Sequence, residues 1–210
     1  MSVGQPLSQP LRYFNTISTL PQDHKEAAGH LVSFFSPHVD ELSTGVKQLN
    51  WTSLKNSVDA YPGIELVIEG YRAPGASATT FKDLPDCSTA AIRDPLSVPI
   101  PSNFSSILST VFSDLKYAKQ AGWADFKHCD SPTQYDWEYR LLTMIPNPSV
   151  SDDFIASLAT IQFGSQTIVN ESQWYETNQL YSTDITLNPT TMKLVVNKGF
   201  KVSIPDDSES

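Results

Sequence analysis

The sequence predicts an α+β fold of layered type: a single domain in which a mainly antiparallel sheet is wrapped by helices. Three observations predict it. Apolar residues at helical spacing fall early in the chain, at 21–36, 50–61 and 104–118. Runs of strand character fall late, from 135 onward. Short stretches of turn chemistry join those late runs, which makes most of them antiparallel neighbours.

The elements follow in order. Residues 11–17 read as a short edge strand. Pro21 opens the first helix, where a missing N–H costs nothing, and Asp23 and Glu26 complement the positive end of its dipole. Ala27, Ala28, Leu31, Val32, Phe34 and Phe35 make its apolar stripe, and Pro37 ends it. A second helix fits 50–61: Asn50 is a candidate cap, Trp51, Leu54, Val58 and Tyr61 line one face, and Pro62-Gly63 stops it. Residues 64–71 have high β propensity. Between 72 and 101 the prolines Pro74, Pro85, Pro95, Pro99 and Pro101 break every pattern. That stretch reads as a surface excursion with a short helix near 89–92. A third helix, capped by Ser102 or Asn103, carries Phe104, Ile107, Leu108, Val111, Phe112, Leu115 and Ala118 on one broad face. Trp123 and Phe126 follow as core candidates.

The late strands are the centre of the pattern. In 135–145, Tyr135, Trp137, Tyr139, Leu141, Thr143 and Ile145 fall on one side of an extended chain. Asp136, Glu138 and Arg140 fall on the other side, which turns apolar at Leu142 and Met144. This predicts a strand that begins half-exposed and ends covered on both faces. Further strands are expected at 154–163, 173–180, 181–187 and 192–196, with turns at 146–149, 170–172 and Asn188-Pro189. About six strands and three helices result. They form one domain over 1–205, and 206–210 is a disordered acidic tail.

A chain of 210 residues that is 40% apolar has enough material for one large core. Its net charge of −9 argues against a nucleic-acid partner, which needs a basic surface. No apolar run approaches the roughly 20 residues of a membrane-spanning helix. The N-terminal residues show no basic and apolar signal-peptide pattern, so the chain reads as soluble. Cys87 and Cys129 are the two cysteines. Reduced thiols and a single disulfide are both open, the former being commoner outside oxidising compartments.

Catalytic and metal chemistry find little support. His24, His30 and His38 are six and eight apart, whereas a helical metal pair needs intervals of three or four. They read as surface histidines, and no metal or cofactor is expected. His128-Cys129-Asp130 resembles nucleophile chemistry in composition, but adjacent side chains seldom form a triad. Asp136, Glu138, Asp152 and Asp153 offer carboxylates for a hydrolase, or simply exposed strand and turn charges. The column Tyr135, Trp137, Tyr139 is either core packing or a strand face that meets membrane or ligand.

Residues 133–147, TQYDWEYRLLTMIPN, resemble the first long C-terminal strand of the Cyt-type cytolytic delta-endotoxins, and volvatoxin-type fungal cytolysins are similar. The 104–118 segment with Trp123 resembles the helix before that strand, and 181–196 the family's closing strands. The likeness is best over 100–200. The resemblance implies a sheet between two helical layers. It further implies a pore-forming or membrane-permeabilising cytolysin whose partners are membrane phospholipid and, once bound, further copies of itself. In solution a monomer or dimer is expected, acting on target-cell membranes; with no signal-peptide pattern visible, release by a non-classical route is the expectation. In that family the helices are thought to move away while the long strands engage the bilayer. The chain departs at 72–101, where the family has a long amphipathic helix.

On this reading Trp137, Tyr139, Leu141, Phe154, Leu158 and Phe163 are the membrane-engaging candidates. Phe34 and Phe35 are the latch that holds the first helix to the sheet. The alternatives are a non-lytic lipid- or glycan-binding module using the 72–101 stretch, and a hydrolase.

Overall fold

The computed structural model describes residues 13–127, 136–168 and 170–202. Tyr135, His128, Cys129, Asp130, most of the proposed 11–17 strand's start and the acidic tail lie outside them. The elements are β1 (Asn15–Ser18), α1 (Lys25–Phe35), β2 (Val39–Glu41), β3 (Lys47–Leu49), α2 (Trp51–Asp59), β4 (Leu66–Arg72), β5 (Ser77–Thr80) and α3 (Leu84–Arg93). After these come α4 (Phe104–Ser113), α5 (Leu115–Gln120), β6 (Ala124–Phe126), β7 (Trp137–Pro146), β8 (Asp153–Gly164), α6 (Glu171–Trp174), α7 (Thr177–Leu180) and β9 (Asp184–Asn197).

The main sheet runs β1-β7-β8-β9-β4, with β6 added to β7 and β5 to β9. Every pairing in it is antiparallel except that of β1 with β7. The layered α+β expectation therefore holds. Two apolar cores lie on opposite faces. One packs α3, α4 and α5 over Trp137, Tyr139, Leu141, Ile161 and Phe163. The other packs α1 and α2 over Leu142, Met144, Phe154, Leu158 and Leu194. Successive strand residues alternate between these cores, as the pleat requires.

Several elements form as their sequence dictates. Asn50 caps α2 by accepting from the Ser53 N–H at 2.9 Å, and Leu54 and Val58 are buried beneath it. Ala27, Ala28, Leu31 and Phe35 form the buried stripe of α1.

Several expectations are corrected. The 72–101 stretch is not a surface excursion: it holds β5 and the ten-residue helix α3. Pro85 sits in the first turn of α3, where proline is tolerated, so it starts the helix instead of breaking it. The 104–118 helix is two helices, since Asp114 leaves helical geometry at φ −137°, ψ 63° and caps α5 through the Tyr117 N–H. Neither Ser102 nor Asn103 is seen to cap α4 with a side chain; Phe104 N–H donates to the Pro101 carbonyl instead.

Residues 173–180 are not extended: they fall on the short helices α6 and α7 and the turn between them. Asn170 and Gln173 complete a reciprocal capping box that nucleates α6 and drives Trp174 into the core. The expected turn at Asn188-Pro189 is the middle of the 14-residue strand β9. Pro189 faces Ile161 of β8. On the other side it lies between Leu187, where pairing with β5 ends, and Thr191, where pairing with β4 begins. No ladder partner is needed in that interval, which is where a strand tolerates proline.

The largest correction concerns β7. β7 is buried on both faces from its start, and Asp136, Glu138 and Arg140 are buried with it. The histidine reading also changes, because His24 is buried with its ring edge-on to Phe154.

Candidate functional site

β7, β8 and β9 contain 10, 12 and 14 residues and are consecutive in the sheet. Each is long enough for a membrane-spanning strand, which needs about 9–11 residues. Among the described residues, no helix is long and apolar enough to cross a membrane.

The six membrane-engaging candidates do not share one face. Trp137, Tyr139, Leu141 and Phe163 belong to the core under α4, whereas Phe154 and Leu158 belong to the core under α1 and α2. Cross-strand register fixes this: Trp137 faces Phe163, but Leu142 faces Leu158 and Pro146 faces Phe154. On the first face the rings interlock. Phe112 of α4 meets Tyr139 at 5.9 Å and Phe163 at 5.3 Å, and Phe163 meets Trp174 at 5.6 Å.

The latch candidates also divide. Phe35 is fully buried and meets Phe14 edge-on at 6.3 Å. Phe34 is half-buried at the rim of the same core, edge-on to Phe35 at 6.0 Å, Phe200 at 5.9 Å and Tyr61 at 6.2 Å.

The second face of the hairpin is polar near the start of β7. Arg140 is its centre and has no exposed surface. Its Nε donates to the Tyr13 carbonyl at 3.0 Å, Nη1 to the Lys47 carbonyl at 2.9 Å, and Nη2 to the Gly122 carbonyl at 3.1 Å. The same guanidinium pairs with Asp125 at 2.5 Å and Glu138 at 3.4 Å. Glu138 also accepts from the Leu49 N–H at 2.8 Å and the Gln162 amide at 3.0 Å. Burial pushes the Glu138 carboxyl above its ordinary range, against the opposing pull of Arg140. One side chain thus ties β7 to the segment before β1, to the β2–β3 hairpin and to β6. Sequence reading placed Arg140 in solvent, because alternation alone cannot distinguish an exposed charge from a buried one that is fully hydrogen-bonded. The available signal was the apolar content of both sides of the strand just beyond it.

The carboxylates do not converge on a hydrolytic site. Asp136 precedes β7, and Asp152 lies beyond its other end, paired with Lys198 at 2.7 Å. Among the described residues no group of His, Cys, Asp and Glu is placed to hold a metal ion. Cys87 is a free thiol whose sulfur accepts from the Thr79 hydroxyl at 3.2 Å.

No family model matches the chain, and no curated protein matches it. Solved structures do. Activated Cyt2Ba monomer from Bacillus thuringiensis subsp. israelensis superposes with a TM-score of 0.70 at 17% identity, covering 88% of this chain and 98% of that one. A delta-endotoxin structure superposes with a TM-score of 0.71 at 14% identity, covering 98% of this chain and 89% of that one. The fold is that of the Cyt delta-endotoxins. The resemblance at 133–147 pointed to it, and the 72–101 stretch, where the short helix expected near 89–92 is the longer α3, does not lie outside that fold, since the second superposition covers 98% of this chain.

Proposed function

We propose that this chain is a membrane-permeabilising cytolysin that binds phospholipid directly and oligomerises, its long strands engaging the bilayer after the helices move away. The observation that carries the reading is the trio β7, β8 and β9: three consecutive antiparallel strands of spanning length, covered on both faces by helical layers. No metal or cofactor enters the mechanism.

The β7–β8 hairpin favours one lipid-facing side. Trp137, Tyr139, Leu141, Ile155, Ile161 and Phe163 share a side whose one charge within the hairpin is Asp153 at the strand end, with Lys193 of β9 facing Ser157 beside it. The other side carries Glu138 and Arg140 and suits an aqueous lumen. On this assignment Phe154 and Leu158 line the lumen side or remain in protein contact. Thr143 and Ser157 face each other on the lipid side, and Asp153 stands at its end.

The test is dye release from phosphatidylcholine vesicles, with pelleting of bound protein in parallel. Release together with pelleting is expected. Pelleting without release would support the alternative, a non-lytic lipid- or glycan-binding module. For that alternative the structure offers a surface pocket in which Trp51 stands beside Asp40, Gln48 and Asn50, a sugar-compatible set. Neither pelleting nor release would end the cytolysin reading.

A further inference from the structure

The sheet has two unlike edges. The outer side of β7 is occupied over residues 137–144: β6 pairs with residues 137–139, Arg140 N–H donates to the Trp123 carbonyl, and β1 pairs with residues 141–144. The outer side of β4 has no strand partner among the described residues, and Ile64, Val67 and Tyr71 beside it are exposed. An open edge is a template for another chain. A register shift between Ile68 and Gly70 bends this one, which is how natural sheets restrain premature pairing.

β4 and β5 are one interrupted strand. Both run antiparallel to β9, and their registers nearly join. Arg72 faces Thr191 and Ser77 faces Leu187, so residues 73–76 stand opposite residues 188–190. That is a single extra residue, placed where Pro74 and Pro189 both lack an N–H. Residues 66–80 therefore follow β9 along its whole length.

Strand parity then matters. In a ring of identical copies each copy repeats the same strand directions. If each gave β7, β8 and β9 alone, β9 of one copy and β7 of the next would run the same way, making a parallel junction. Adding 66–80 gives four alternating strands, and every junction becomes antiparallel, as in single-chain bacterial barrels with their even strand counts.

We infer that the assembling unit is the four-stranded sheet 66–80, β9, β8 and β7, and that its partner is a second copy of this chain. The open β4–β5 edge of one copy pairs with the β7 edge of the next, once β1 and β6 have left that edge. The inference rests on the permeabilising reading above. β1 and β6 act as guards, and Arg140 secures both: it bonds the Tyr13 carbonyl just before β1, and Gly122 and Asp125 at β6. Asn15 of β1 adds a bond to the Tyr139 hydroxyl at 2.7 Å.

Two disulfides separate this arrangement from its rivals, both placed in a background with Cys87→Ser and Cys129→Ser. Ile17→Cys with Thr143→Cys joins β1 to β7 at facing positions, and Val67→Cys with Val195→Cys joins β4 to β9. Dye release from phosphatidylcholine vesicles and detergent-resistant oligomers are read before and after reduction. The β1–β7 bridge is expected to abolish both, and reduction to restore them. The β4–β9 bridge is expected to leave both undiminished. Loss of oligomers under the β4–β9 bridge, reversed by reduction, overturns the four-stranded unit. Assembly that survives the β1–β7 bridge overturns the edge exchange. If the cysteine-free protein with no bridge neither binds nor leaks vesicles, the permeabilising reading itself fails and the inference falls with it.

Discussion

Arg140 Nη2 lies 2.5 Å from Asp125 Oδ2, joining β7 to β6 at the outer edge of the sheet. Neither group stands in open water, since Arg140 is fully buried and the Asp125 side chain is 14% exposed. Removing one member of such a cluster strands the others. Arg140→Met should therefore cost about 3–5 kcal/mol, because Asp125 and Glu138 would be left as buried charges without their partner. Urea unfolding measures it. A midpoint equal to that of the unsubstituted protein would mean that the guanidinium contributes nothing to holding the edge strands.

Glu138 gives the cluster a pH dependence. Its folded pKa is raised, chiefly by burial, above a reference of 4.5. A carboxyl raised on folding binds its proton more tightly in the native state, so its contribution is most favourable below the unfolded value and is lost as pH rises through the folded value. Glu138→Gln removes that contribution. The stability of the original protein relative to the Gln variant should therefore fall as pH rises from 4.5 toward neutrality. Thermal midpoints of both proteins across that range supply the comparison, and a difference that grows with pH would contradict the assignment.

Much of this fold was legible in sequence because its signals are local. The alternation of Trp137, Tyr139 and Leu141, the cap at Asn50 and the stripe Ala27, Ala28, Leu31 each sit within one element. The misreadings share a different cause. Pro85 and Pro189 are breakers by residue type, yet one lies in a first helical turn and the other between two partner strands. Those contexts depend on neighbours far away in sequence. Arg140 is the same case: its partners Tyr13, Lys47, Gly122 and Asp125 come from three separate stretches of chain. The membrane-engaging candidates were legible as apolar strand residues, but their division between two faces required the register of β7 against β8.

The two latch phenylalanines should behave differently. Phe35 is fully enclosed against Phe14, and Phe35→Ala should cost about 3–5 kcal/mol in unfolding free energy. Phe34 is half-buried and contacts Tyr61 and Phe200, so Phe34→Ala should cost distinctly less. If α1 must leave the sheet before the strands engage lipid, Phe34→Ala protein, still folded, should release dye faster than the original. Stopped-flow release at matched bound protein reads this. An unchanged rate would separate α1 detachment from the slow step.

The two sides of β8 give the sharpest test of the lipid-facing assignment. Ala159 faces Leu141 on the proposed lipid side, and Ala156 faces Met144 on the other. Both are buried in the folded chain, so Ala159→Cys and Ala156→Cys, in a background lacking the native cysteines, should each resist a charged maleimide in solution. After assembly on vesicles they should diverge. A thiol facing a water-filled lumen reacts, while one facing acyl chains stays protected, because the two sides of a spanning strand alternate between water and lipid. Labelling is expected at position 156 and not at 159, scored by mass shift after detergent extraction. The reverse pattern would exchange lumen and lipid sides, placing Phe154 and Leu158 in the bilayer and Trp137 and Tyr139 in the lumen. Protection at both positions on vesicles that leak would mean that the sheet remains covered while the membrane is permeabilised, and the strands would then not form the conducting path.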